Sequence, residues 1–130
     1  MKASARDWIA KAEDDFLAAQ ALARRRKKPL HDQVCFHCQQ SAEKYLKARL
    51  EEAGIHYPKT HDLDKLLQLV LPAEPMWSAL KQAFKSLSDY AVEFRYPGST
   101  AIAADATKAI QDAKAIRREV RLALGALRWQ

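Results

Sequence analysis

DQVCFHCQQSAEKYLKARLEEAG, residues 32–54, decides the fold. Cys35, Cys38, Ala42, Tyr45, Leu46 and Leu50 recur mainly at spacings of three and four, so they share one apolar stripe of a helix. His37, Gln40, Lys44, Lys47 and Glu51 fall on its other face. Gly54, which enters left-handed backbone without strain, is the expected stop, and the helix is predicted over Asp32–Ala53. A stripe of this kind requires neighbouring elements to cover it.

The flanking sequence supplies them. Upstream, Trp8, Ala12, Phe16, Ala19 and Ala23 line one face of a first helix expected from Ala3 to Arg26. Downstream, Thr60 or Asp62 can cap a short third helix carrying Leu63, Leu66, Leu67 and Val70, which ends before Pro72. A fourth helix is predicted from Pro75 to Phe94 with Trp77, Leu80, Phe84, Leu87, Ala91 and Phe94 inward. Ser99 or Thr100 then caps a fifth, whose stripe is Ile102, Ala109, Ala113, Ile116, Val120 and Leu124. The five prolines fall between these segments, and no strand pattern, repeat or low-complexity stretch interrupts them. Long helices joined by short connections favour antiparallel neighbours. The expected fold is all-α, an up-and-down bundle of four long helices plus one short helix, with residues 1–130 as a single domain. A chain of this length buries roughly two thirds of its unfolded surface, enough for one core.

Composition narrows the function classes. Lys and Arg number 22 against 16 Asp and Glu, and the net charge of +6 favours polyanions without a histone-like excess. No apolar run approaches the roughly 18–20 residues that span a bilayer, and the first residues lead into a charged amphipathic pattern, so no membrane contact and a cytoplasmic location are expected. Cys35 and Cys38 form a Cys-x-x-Cys. A zinc site needs two further ligands and a thioredoxin-like site a preceding strand, and neither is present. Both thiols lie on the apolar stripe, so buried packing is expected, with no metal and no cofactor.

Three segments carry a resemblance: CFHCQQSAEKYLKA at 35–48, PKTHDL at 58–63 and FRYP at 94–97. In order and spacing they resemble the HEPN family, the domain named for nucleotide binding in higher eukaryotes and prokaryotes, and the likeness extends from the Trp8 region to the last helix. The resemblance implies a helical bundle, a homodimer, and a substrate-binding or toxin subunit working beside a small nucleotidyltransferase. Other members of the family are metal-independent ribonucleases using an Arg, four to six intervening residues, and a His. Arg95 matches that Arg, but Thr100, Ala101 and Ile102 occupy the positions where the His would stand. Arg24, Arg25 and Arg26 before His31, and Arg49 before His56, fit the bare spacing in other segments. Without a general acid or base, cleavage loses roughly 100- to 10,000-fold. The resemblance therefore implies a non-catalytic nucleotide- or substrate-binding subunit. The alternative is a ribonuclease toxin of a toxin–antitoxin pair, with His37 or His61 completing Arg95.

The candidate ligand residues follow from side-chain chemistry. His37, Gln40 and Lys44 form a polar strip on the second helix, suited to a phosphate, a base or a partner chain. Lys59 and His61 precede the short helix, where cations and free N–H groups favour anions. Arg95 and Tyr96 sit at a sharp corner before Pro97, a guanidinium for phosphate beside a ring for stacking, although Arg95 can instead pair with Glu93 or Asp89. The runs Arg24–Lys28 and Arg117, Arg118 and Arg121 are expected as solvated cations. Nucleotide or RNA is the ligand class these residues suit.

Overall fold

A computed structural model of the chain describes residues 1–94 and 96–125. The helices are α1 (Ala3–Ala23), α2 (His31–Ala53), α3 (Leu63–Val70), α4 (Lys81–Glu93) and α5 (Ala103–Leu124), and a 3₁₀ segment, Pro75–Leu80, leads into α4. Gly54 closes α2 at φ +70°, the left-handed cap that its lack of a Cβ permits. Asp62 closes the start of α3, its carboxylate accepting the Lys65 N–H at 3.2 Å.

Pairings fix the directions. Lys2 N–H donates to Glu52 at 2.7 Å and Tyr45 hydroxyl to Glu13 at 2.6 Å, so α1 runs antiparallel to α2. Ala101 N–H donates to Asp32, and Arg117 to Glu13 opposite Tyr45, so α5 runs parallel to α2. Arg49 meets Glu74 ahead of α4, whereas Phe36 and Phe94 share a cleft, so α4 runs antiparallel to α2. This is the expected up-and-down bundle, with α2 touching every other helix. One connected set of buried side chains fills it, including Phe16, Tyr45, Leu46, Leu66, Trp77, Phe84 and Ile116. Cys35 and Cys38 are buried free thiols within that set. Among the described residues no helix is long and apolar enough to cross a membrane.

Several details differ from the sequence reading. α1 ends at Ala23 and its covered face is Ala5, Ile9, Ala12, Phe16 and Ala19, with Trp8 only partly covered and Ala23 exposed. The expected fourth helix begins as 3₁₀, where side chains three apart eclipse; Trp77 and Leu80 are three apart and both enter the core. Ser99 and Thr100 do not cap α5. Instead Asp105 accepts the Ile102 N–H at 2.9 Å and Asp32 accepts that of Ala101 at 2.7 Å, which leaves Ile102 outside the helix and exposed. Lys47, read as part of a polar face, is buried. Arg117 is only part-exposed: its guanidinium lies 5.1 Å over the Phe16 ring and reaches Glu13.

Candidate functional site

The N-terminal half of α2, the connection into α3 and the C-terminal half of α4 enclose a cleft of about 700 Å³. Aromatic side chains supply its walls. Phe36 reaches in from α2, and Tyr90 and Phe94 stack with centroids 5.7 Å apart and planes inclined by 22°. Burial, then the nearby Asp105 and Cys35, push the Tyr90 hydroxyl above its ordinary pKa, so it stays protonated.

Two amides face the cleft. Gln40 Nε2 donates to Gln39 Oε1 at 2.8 Å. Oriented this way, or with both amides reversed together, that bond consumes one N–H and one oxygen lone pair and leaves a free donor beside a free acceptor. Gln39 is 95% buried, so its remaining capacity is directed at the cleft rather than at bulk water. Asp32 and Asp62 also line the space, but each carboxylate already accepts a backbone N–H, at Ala101 and Lys65 respectively.

A line of charges ends at the same place. Glu43 and Lys47 are 3% and 7% exposed and pair at 3.0 Å, with Lys47 Nζ 5.1 Å from the Trp8 ring. The other oxygen of Glu43 lies 2.9 Å from Nδ1 of His61, whose side chain is 83% exposed. A carboxylate only accepts, so Nδ1 carries a proton and Nε2 is the nitrogen left without a partner inside the protein.

Of the residues singled out from the sequence, Gln40 and His61 meet at this cleft. His37 and Lys44 turn to α1, where Asp15 accepts from both, His37 Nδ1 at 2.9 Å. Lys59 is exposed on the α2–α3 connection, and Tyr96 is exposed just past the end of α4. Arg95 lies outside the described residues, and so does its suggested pairing with Glu93 or Asp89. Gln39, Phe36 and Glu43 were not singled out. Glu43 stands four residues before Lys47, the helical ion-pair spacing that signals a partner. Among the described residues, no group of three or more His, Cys, Asp or Glu side chains converges as a metal site.

No curated protein and no solved structure matches the chain significantly. The family model of the HEPN domain matches residues 5–123, which include all five helices except the first two residues of α1 and the last of α5. The three segments at 35–48, 58–63 and 94–97 all fall within that match, and the chain belongs to the HEPN domain family.

Proposed function

We propose that this HEPN domain binds a nucleotide in the cleft, as a non-catalytic subunit that acts with a separate nucleotidyltransferase chain. One observation carries the reading: three segments far apart in sequence contribute to one cleft, Phe36, Gln39 and Gln40 from the first, His61 and Asp62 from the second, Phe94 from the third. The aromatic walls suit the faces of a base, and the donor–acceptor pair on Gln39 and Gln40 suits its edge. With the base inside, the phosphates lie at the mouth, toward His61. Exposed Val92 at the cleft, with exposed Tyr96 and Ile102 on the connection from α4 to α5, supports a second copy of the chain as a dimer partner.

Calorimetric titration with nucleosides and nucleotides tests the reading. Phe36 is half exposed, so Phe36→Ala leaves the core intact. Loss of one stacking contact, worth about 1–3 kcal/mol, weakens binding roughly 5- to 150-fold. Absence of binding by the wild type, or equal binding by Phe36→Ala, rejects it.

The ribonuclease alternative has one observation in its favour: His61 reaches the cleft and is held by a buried carboxylate, as an acid–base group requires. RNA cleavage by the wild type in EDTA that disappears in Arg95→Ala and His61→Ala supports it. No cleavage by the wild type leaves the binding subunit.

A further inference from the structure

We propose that His61, held by Glu43, is a proton-coupled phosphate subsite at the mouth of the cleft, with Glu43 as its positioning residue. The proposal rests on the nucleotide reading above and assigns the group that meets the 5′-phosphate.

Burying an ion pair is costly, and Glu43 and Lys47 are almost wholly removed from water. Their charges cancel, yet the carboxylate has a second oxygen, and that oxygen fixes the imidazole through Nδ1. The ring is thus oriented from the interior while Nε2 remains open at the cleft. A neutral ring offers only an acceptor there, which repels a phosphate oxygen. Protonation converts Nε2 into a charged donor, and Glu43 stabilises the resulting imidazolium from behind. An arriving phosphate dianion therefore draws one proton from solvent onto His61. The proton comes to Nε2, Nδ1 keeps its own, and no covalent bond forms or breaks.

Other charged and titratable groups around His61 set the background. Glu43 and Lys47 come from α2, Asp32 and Tyr90 face the cleft from α2 and α4, and Asp62 is committed to the α3 cap. Lys59, two residues before His61 in the chain, is exposed and adds positive charge to the same connection. His37 is not part of the cluster, because its partner is Asp15 on α1.

The test is calorimetry of the four ribonucleosides and their 5′-monophosphates at pH 7.5, in buffers of different ionisation enthalpy so that proton uptake is counted. For the preferred base, the monophosphate is expected to bind roughly 10- to 100-fold more tightly than the nucleoside, the range of one charge-assisted hydrogen bond. Its binding should also be accompanied by net proton uptake, whereas that of the nucleoside should not. His61→Gln erases both the advantage and the uptake. Glu43→Gln keeps an acceptor for Nδ1 but removes the charge, so uptake falls and the advantage shrinks. Should Lys47, left without its counter-ion, prevent that variant from folding, Glu43→Gln/Lys47→Met removes both buried charges at similar volume and reads the same quantities. Equal binding of nucleoside and monophosphate, no proton uptake, or an undiminished advantage in His61→Gln overturns the proposal while the cleft reading stands. Failure of every nucleoside and nucleotide to bind the wild type overturns both.

Discussion

Replacing Glu13 with alanine removes the carboxylate on which α1, α2 and α5 meet. Arg117 donates to it twice, from Nε at 2.6 Å and Nη2 at 2.8 Å, Tyr45 donates its hydroxyl at 2.6 Å, and Arg121 lies at 3.6 Å. Burial pushes the carboxyl upward, but the bonds from Arg117 and Tyr45 and the charges of Arg117 and Arg121 outweigh it, leaving the pKa below 4.5. Breaking a fully buried pair costs roughly 3–5 kcal/mol. Here the side chains of Arg117 and Glu13 are 30% and 22% exposed, so screening and rehydration lower the expected cost to about 2–3 kcal/mol. With an unfolding entropy near 2.1 cal/mol/K per residue, that corresponds to a melting temperature lower by about 7–11 °C. The pH dependence has a defined sign. A carboxyl whose folded pKa is depressed stabilises above its unfolded value, 4.5, and that contribution is lost as pH falls through the folded one. The gap between wild type and Glu13→Gln should therefore be full at pH 7 and narrow below about pH 4.5. Thermal unfolding by circular dichroism across this range is the assay. A Glu13→Ala melting temperature within about 2 °C of wild type, or a Glu13→Gln gap that persists unchanged at pH 3, refutes the reasoning.

Cys35 and Cys38, both pushed up to about 12 chiefly by burial, hold only about one thiolate in ten thousand at pH 8. Iodoacetamide should leave the native protein unmodified and label both residues quickly in denaturant, as mass spectrometry would show. Gly54→Ala should cost about 1 kcal/mol in urea unfolding, from the left-handed backbone; the added Cβ meets only the mobile ammonium of Lys2, at 3.3 Å. Lys47→Met should cost about 3 kcal/mol by stranding the Glu43 carboxylate, while the double variant Glu43→Gln/Lys47→Met should recover most of that loss, also read by urea unfolding.

The bundle was legible because its signals are local. Gly54, Asp62 and the prolines mark helix ends through backbone geometry, and Leu63, Leu66, Leu67 and Val70 declare a buried face through spacing alone. The α5 start was not legible. Ser99 and Thr100 have the right chemistry for a cap, but Asp32, 69 residues upstream of Ala101 in the chain, supplies the acceptor that fixes where the helix begins. The cleft was half legible for the same reason. Gln40 and His61 stood out as polar residues in suggestive places, whereas the importance of Glu43 depends on a contact across 18 residues that no periodicity reports.

A two-faced pattern also misread α2, because it assumes that a polar face meets water. α2 contacts every other helix, so much of that face is covered and the helix's polar groups, on either face, require partners inside the protein. Most have one. Ser41 donates to the Cys38 carbonyl, Tyr45 to Glu13, Lys47 to Glu43, and His37 and Lys44 to Asp15. Hydrogen bonds committed in this way stabilise the bundle and are withdrawn from recognition. The amide pair Gln39–Gln40 and Nε2 of His61 retain capacity, and they open into a single cleft with aromatic walls. Residual hydrogen-bond capacity, rather than polarity or charge alone, therefore distinguishes Gln39 and Gln40 from the residues of α2 whose polar groups are committed to the fold.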